Sequence, residues 1–193
     1  MAHVMTFSRV AESKINALKA SGCHELFIGI ESGSPRILSS IKKTSNVKVI
    51  LENLTKVLKC GINIKGYFIY GFPGEKEADM EMTYELAVKL SRIAKKHGSR
   101  FRTSVFQYRP YHATEIYHDL VSKGEFAPVE RIAANSALSD LVGRIQFNFH
   151  SGNLSEVDSE TVHNYIYRTS NLTDPELFSR IQPRSSPREK EKL

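Results

Sequence analysis

The sequence predicts an α/β fold: a partial (β/α) barrel of roughly three strand–helix units. Two apolar runs, Leu26–Ile30 and Ile62–Tyr70, each stop at a polar or glycine-rich break. Between and after them, Val47–Cys60 and Ala78–Lys96 repeat apolar residues at helical spacing, and Phe101–Tyr108 alternates as a third strand. Strands separated by helices of that length indicate parallel crossovers, with ligand-facing loops at the carboxyl ends of the strands. A closed eight-stranded barrel takes roughly 250 residues. Three strands before Pro110 therefore mean either a small open sheet or part of a larger barrel.

The elements follow in order. Ser8–Ala20 places Val10, Ile15, Ala17 and Leu18 among polar residues and stops at Gly22, as a modest helix does. Leu26–Ile30 reads as a buried strand ending in Glu31. Ser34-Pro35 pairs an N-cap with a proline in the first helical position and opens a short helix through Leu38 and Ile41. Val47–Cys60 is an amphipathic helix closed by Gly61. Ile62–Tyr70 is the second strand, broken by Gly71-Phe72-Pro73-Gly74. Ala78–Lys96 ends with basic residues suited to the helix dipole, and Gly98 terminates it. Pro110 ends the third strand, and Thr114–Val121 is helical. Further on, 126–142 holds one helix and 144–149 a short strand. From Asn171 the chain is rich in Pro, Ser and charge and is expected to be disordered. Three regions result: a partial barrel over 8–122, a helical or irregular extension over 123–170, and a tail over 171–193.

Composition narrows the function. Lys and Arg number 27 against 21 Asp and Glu, a net charge of +6 that permits contact with phosphates without requiring it. The two cysteines, Cys23 and Cys60, exclude a disulfide framework, a Cys₄ zinc site and a three-cysteine cluster cradle. No apolar run is long enough for a membrane span and no secretory signal is visible, so the expected location is the cytoplasm, without a membrane partner. His112, Glu115 and His118 do not share one helical face, which argues against a metal site. Tyr108, Tyr111 and Tyr117 around Arg109 lie in too diffuse a field of charge to press a nucleic-acid partner, and none is expected.

Two segments carry chemistry. Glu31-Ser32-Gly33-Ser34 sets a carboxylate, two hydroxyls and a glycine at a strand's carboxyl end, a combination suited to ribose hydroxyls. The alternative is a helix cap with a solvated carboxylate. Gly66 through Glu75 places glycines within and just beyond the second strand, where a flat adenine can approach main chain; the alternative is a tight turn. Gly71–Lys76 lacks the spacing of a phosphate-binding loop, and Glu77 stands where its hydroxyl would be.

Together with Gly22-Cys23, Leu38, Ile41-Lys42-Lys43, Gly61-Ile62 and Ala113–Tyr117, these segments resemble the C-terminal half of the radical S-adenosylmethionine core. The resemblance runs from about Val10 to Leu120 and points to the group whose members often carry an upstream cobalamin-binding domain. It implies the fourth to sixth strands of that barrel. It makes Glu31 the ribose contact, with Ser32, Gly33 and Ser34 shaping the loop beside the cofactor. Ile69, Tyr70, Gly71 and Phe72 become the adenine-side wall, and Phe106–Tyr108 the far edge of the cavity. The cluster-binding C-x-x-x-C-x-x-C is absent, so Cys23 and Cys60 read as small core thiols and no residue is assigned to catalysis or metal.

The expectation is a fragment of a radical enzyme that keeps a weak or vestigial S-adenosylmethionine site. A [4Fe–4S] cluster and cobalamin would belong only to a full-length parent, which would transfer methyl groups to, or otherwise modify, a small-molecule metabolite. The alternative is a non-catalytic α/β remnant that binds another chain. In either case a second chain or a missing N-terminal half would complete the barrel, because the edge of Leu26–Ile30 is expected to be exposed.

Overall fold

Four parallel strands, β1 (Ala2–His3), β2 (Glu25–Glu31), β3 (Asn63–Tyr70) and β4 (Phe101–Gln107), form one sheet in that order. A computed structural model describes residues 2–44, 46–111, 114–124 and 153–172. The helix expected at 126–142, the strand at 144–149 and nearly all of the expected tail lie outside the described residues. The helices are α1 (Glu12–Ala20), α2 (Pro35–Ser40), α3 (Val47–Lys59), α4 (Glu77–Lys96), α5 (Glu115–Ser122) and α6 (Ser159–Ser170), with a 3₁₀ helix at Val4–Arg9.

Three strands were expected and four are present. Ala2 pairs with Ile28 and His3 with Gly29, so the edge of β2 is in part covered. Two residues are too few to carry a period-two pattern, which hides β1 from any reading of periodicity. The helix expected from Ser8 is likewise divided: the 3₁₀ turn ends at Arg9 and α1 begins only at Glu12.

The pleat sorts the strands into two faces. Ile28 and Ile30 of β2 and Ile64 and Phe68 of β3 point to one side, where Leu54, Val57 and Leu58 of α3 and Leu86, Ala87 and Leu90 of α4 cover them. Gly66 lies on this same core face. A Cβ there would come within 2.9 Å of both Ile30 Cδ1 and Phe101 Cζ, so the missing side chain makes room for core packing rather than for an adenine. Phe101 meets Phe68 edge to face, with centroids 6.3 Å apart.

Helix α6 closes the layer beyond β4. The Tyr70 hydroxyl and Thr169 Oγ1 are 2.7 Å apart, Thr103 Oγ1 donates to the Thr169 carbonyl at 2.8 Å, and the Tyr70 and Tyr165 rings stack at 6.0 Å. The Arg168 guanidinium sits 4.1 Å from the Tyr84 ring centroid, tying α6 to α4.

The β2–α2 connection is held from below by α4. Ser34 caps α2 by accepting from the Ile37 N–H at 3.4 Å, and Pro35 occupies the first helical position. The Ser34 hydroxyl donates to Asp79 Oδ1 at 2.5 Å, Ser32 Oγ and Thr83 Oγ1 are 3.0 Å apart, and the Gly33 N–H donates to Thr83 Oγ1 at 2.9 Å. Main chain packs on main chain at Gly33, where a Cβ would sit 2.3 Å from the Met82 carbonyl oxygen. Gly33→Ala is therefore expected to destabilise the chain by about 2–4 kcal/mol, because backbone must move. Gly66→Ala meets side-chain atoms that can yield and should cost less. Urea denaturation of the two variants checks the order, and equal stability would contradict it.

Candidate functional site

The carboxyl ends of β2, β3 and β4 open into a cavity of about 760 Å³. Glu31, Lys43, Ile69, Phe72, Phe106 and Tyr108 contribute to its lining. That volume lies within the usual range for small-molecule sites, and a carboxylate beside apolar and aromatic walls is the usual mixture of few polar groups and many apolar ones.

The position of the carboxylate follows from a β-bulge. Gly29 pairs with Tyr67 while Glu31 pairs with Phe68, so two residues of β2 advance against one of β3. Glu31 adopts φ 68°, a left-handed conformation that costs a residue with a Cβ about 1–2 kcal/mol. Its side chain folds back over Gly29: a Cβ at Gly29 would lie 2.4 Å from Glu31 Oε1 and 3.2 Å from Lys43 Nζ. Glycine is required there because the ion pair occupies that space.

Lys43 reaches the pair through a second left-handed residue. Helix α2 ends in a Schellman turn, with the Lys43 N–H on the Leu38 carbonyl at 2.8 Å and the Lys42 N–H on the Ser39 carbonyl at 3.0 Å. Lys42 takes φ 56° in the place glycine usually fills, and the chain turns back toward β2. Lys43 Nζ then donates to Glu31 Oε1 at 2.6 Å and to the Gly29 carbonyl at 3.2 Å. The side chains are only 18% and 22% exposed, so water competes less than at a surface pair. Glu31 Oε2 accepts no hydrogen bond among the described residues.

A buried carboxyl shapes the apolar wall. Glu75 Oε2 accepts from the Gly71 N–H at 2.6 Å and the Phe72 N–H at 3.1 Å, clasping the turn after β3. Phe72 then packs on Tyr108 with centroids 4.9 Å apart, and the Tyr108 N–H donates to the Tyr70 carbonyl at 2.7 Å. Glu75 is wholly buried, and its Oε1 is unpartnered among the described residues; burial pushes its carboxyl up to about 7 against the two N–H bonds that favour the anion. Asp79 behaves oppositely. Burial opposes its charge, but hydrogen bonds from Arg36, Ser34 and the Lys76 N–H together hold the carboxyl below its ordinary value.

The residues singled out from sequence thus divide. Glu31, Ile69 and Phe72 line the cavity. Ser32, Gly33 and Ser34 are turned into the contact with α4, Tyr70 points to α6, and Gly71, at φ 90°, forms the turn while giving its N–H to Glu75. Lys43 and Glu75 stood in the segments that carry the resemblance, but sequence reasoning gave neither a role. A lysine directly after a helix that follows an acidic strand end is the signal for the first, and a carboxylate closing a Gly-Phe-Pro-Gly turn for the second. Cys23 precedes β2 and Cys60 caps the end of α3, so both thiols stand at the amino ends of the strands, against the core and away from the cavity.

Comparison with known proteins places the first part of the chain. Residues 3–87 match the Radical SAM superfamily. An uncharacterized methyltransferase of Pyrococcus horikoshii is 38% identical over 94 residues, which cover 45% of this chain and 20% of the relative. A tRNA-2-methylthio-N(6)-dimethylallyladenosine synthase of Stenotrophomonas maltophilia is 28% identical over 78% of this chain and 29% of its own length. Among solved structures, coproporphyrinogen III oxidase from Escherichia coli aligns with 78% of this chain and 31% of its own at 16% identity and a TM-score of 0.45. The chain therefore spans less than a third of the length of these relatives.

Two expectations are corrected by these matches. The match to the Radical SAM superfamily lies at residues 3–87, the N-terminal part of this chain, so the reading of the chain as the C-terminal half of that core does not stand, and the match gives no support to cobalamin. The expectation that nucleic acid is not a partner, part of the reading that had a second chain or missing half complete the barrel, is overturned as well, since several relatives are named as tRNA-modifying synthases. No helix among the described residues is long and apolar enough to cross a membrane. The chemistry of the rim suits the adenosine end of S-adenosylmethionine: a carboxylate with one oxygen unpartnered among the described residues, beside an apolar wall. They do not fit an iron–sulfur cluster, because two thiols at the opposite ends of the strands cannot supply its ligands.

Two outcomes follow for the rim and the turn beneath it. If Glu31 is strained, Glu31→Gly should be more stable than Glu31→Ala by about 1 kcal/mol in urea denaturation, since both lose the ion pair and only glycine loses the penalty. Equal stability would rule the strain out. For Glu75 the folded carboxyl binds its proton more tightly than the unfolded one, whose ordinary value is 4.5. Its contribution is complete below about 4.5 and lost as pH rises through about 7, a change on the order of 3 kcal/mol. Glu75→Gln mimics the protonated form, so the stability difference between wild type and variant should shift in favour of the variant over that window. A difference independent of pH would refute the assignment.

Proposed function

We propose that this chain supplies the ribose and adenine side of an S-adenosylmethionine site in a radical SAM enzyme whose reaction is methyl transfer or a related modification. The observation that carries the reading is the Glu31 carboxylate, held in a left-handed conformation at the end of β2 with Oε1 on Lys43 and Oε2 unpartnered among the described residues. A carboxylate is an acceptor suited to two vicinal hydroxyls, and Lys43 fixes its orientation through Oε1. Ile69, Phe72 and Tyr108 offer an apolar surface for the purine. The Gly71 and Phe72 N–H groups are already engaged by Glu75, so the wall acts through its surface rather than by reading the base edge. The methyl-transfer reading draws on the methyltransferase relative of Pyrococcus horikoshii.

Bound S-adenosylmethionine would supply the sulfonium whose cleavage or transfer is the chemistry of such enzymes. This chain's residues orient its nucleoside end. With two cysteines placed away from the rim, the chain does not form a self-sufficient catalytic core, and no reductive step is assigned to it. Among the described residues no cluster of ligands would hold a metal for the methionine end, so adenosine and S-adenosylmethionine should bind alike. Affinity should fall in the millimolar range, about −4 kcal/mol. Ligand-observed NMR titration of both against wild type and Glu31→Ala is the test. The expected result is parallel weak binding, lowered in parallel by the substitution. Micromolar S-adenosylmethionine binding without any adenosine binding would overturn the proposal.

A further inference from the structure

The turn that ends β3 is fastened by a segment far along the chain. The Leu154 N–H donates to the Gly71 carbonyl at 3.3 Å, the Gly74 N–H to the Leu154 carbonyl at 3.1 Å, and the Glu156 N–H to the Glu75 carbonyl at 2.8 Å. Gly71 and Gly74 take φ of 90° and 67°, so the turn is built from the residues least able to hold one shape alone. The segment that grips it is itself stiffened. Asn153 Oδ1 accepts from the Ser155 N–H at 3.0 Å, and Asn153 Nδ2 donates to the Val157 carbonyl. Asp158 then caps α6 by accepting from the Thr161 N–H at 2.9 Å, and Val157 packs against the cluster of Tyr70, Val162 and Tyr165. Leu154 reaches the small apolar cluster of Ile37, Phe72 and Tyr108. Ile41, Ile69 and Ile116 flank that cluster and also line the cavity; Leu154 flanks it and is absent from the lining, so it bears on the wall without facing what fills the cavity.

We propose that Leu154 is a positioning residue for the ligand of the cavity, and that 153–157 is a strap whose docking on the turn and binding in the cavity favour each other. The strap lies far beyond residues 3–87, so a part of the chain outside the family match completes the site. Undocking would free the Gly71 carbonyl, the Gly74 N–H and the Glu75 carbonyl together, and backbone groups of a packed turn need partners. The Glu75 carboxyl holds the Gly71 and Phe72 N–H groups, but it fixes only the inner edge of the turn. Phe72 belongs to a cluster of three buried side chains set apart from the main core, so loss of one neighbour is felt there. A ligand that packs on Phe72 therefore binds the docked form better. By reciprocity the docked strap raises the affinity for that ligand. This coupling rests on the reading of the cavity as a nucleoside site, whereas the hold of the strap on the turn does not.

Amide hydrogen exchange and adenosine titration of the full chain test this in two arms. Without ligand, Leu154→Ala should speed exchange of the Gly71 and Phe72 N–H groups, which donate to Glu75 and not to the strap, about fivefold or more. The factor should exceed that for the Ile64 N–H, which sits on the Arg100 carbonyl in the sheet and reports global opening. With ligand, Leu154→Ala should bind adenosine about fivefold or more weakly, and Leu154→Met should restore most of the affinity. Glu160→Gln, on the exposed side of α6, should match wild type. A further reading needs no variant: adenosine at about three times its Kd should slow exchange of the Gly74 and Glu156 N–H groups about fourfold, the factor expected when the undocked form does not bind. A strap that serves stability alone would leave those rates unmoved, which would overturn the coupling. Unchanged exchange at Gly71 and Phe72 in Leu154→Ala would overturn it as well, as would adenosine affinity indifferent to Leu154→Ala yet lowered by Glu31→Ala; both leave the nucleoside reading standing. Gly74 and Glu156 amides as slow as that of Ile64 would also overturn it, because the strap would then open only with the whole fold. Failure of wild type to bind adenosine, with the turn loosened in Leu154→Ala, would instead overturn the nucleoside reading and leave the strap as the support of the wall.

Discussion

The ion pair of Glu31 with Lys43 closes a ring that passes through two left-handed residues and a glycine, and the geometry of the rim depends on it. Glu31 and Lys42 both adopt φ values that a Cβ disfavours, and neither would hold that conformation alone. The bulge in β2 and the Schellman turn of α2 each leave one backbone unit in the unusual region. The charge-assisted bond between their side chains, with Lys43 also on the Gly29 carbonyl, offsets the strain where water is largely excluded. Gly29 is part of the same arrangement, because a methyl group there would displace the carboxylate. Strain, glycine and charge thus act as one unit, and its product is a carboxylate presented at a strand end with one oxygen still available.

A second level of control lies below the rim, in two acidic residues that the protein treats differently: Glu75 in the turn after β3 and Asp79 in the first turn of α4. Asp79 is saturated: Arg36, Ser34 and the Lys76 N–H all address it, so it stays ionised while pinning the start of α2 to the start of α4. Glu75 is half satisfied, with two N–H groups on one oxygen and nothing on the other. The first works as a fixed fastener. The second is a clasp whose charge depends on pH, and it holds the very turn that positions Phe72 against Tyr108. Its protonation state therefore bears on the cavity wall without any contact with what fills the cavity.

How much of this was legible in the sequence depends on the range of the signal. Local patterns were readable: the cap at Ser34 with Pro35 behind it, the glycine stops at Gly61 and Gly98, the apolar spacing of α3 and α4, and the strands β2, β3 and β4 to within a residue or two. Orientation within β3 was also available in principle, since Ile64, Gly66, Phe68 and Tyr70 share parity and only one parity faces helices. Reading Gly66 and Tyr70 as ligand-facing overlooked that alternation. Long-range features were not legible. Strand β1 has two residues and no pattern, and the network that buries Ser32, Ser34 and Asp79 joins segments about 45 positions apart. No propensity signals a left-handed glutamate, because that conformation is imposed by its partners.

The strands also give the molecule a polarity that orders its chemistry. At their amino ends lie Cys23 and Cys60, packed against the core as small apolar groups. At their carboxyl ends lie the carboxylate, the ammonium and the aromatic wall. One face of the sheet is closed by α3, α4 and α6. Since few side chains at the ends of β2 and β3 face the cavity, moving a thiol to that rim would require it to replace a residue of the Glu31–Lys43 arrangement or of the Phe72–Tyr108 wall. Positions proposed to receive a nucleoside and positions that would hold a metal draw on the same few strand ends, and among the described residues the carboxylate–lysine pair and the aromatic wall occupy those ends.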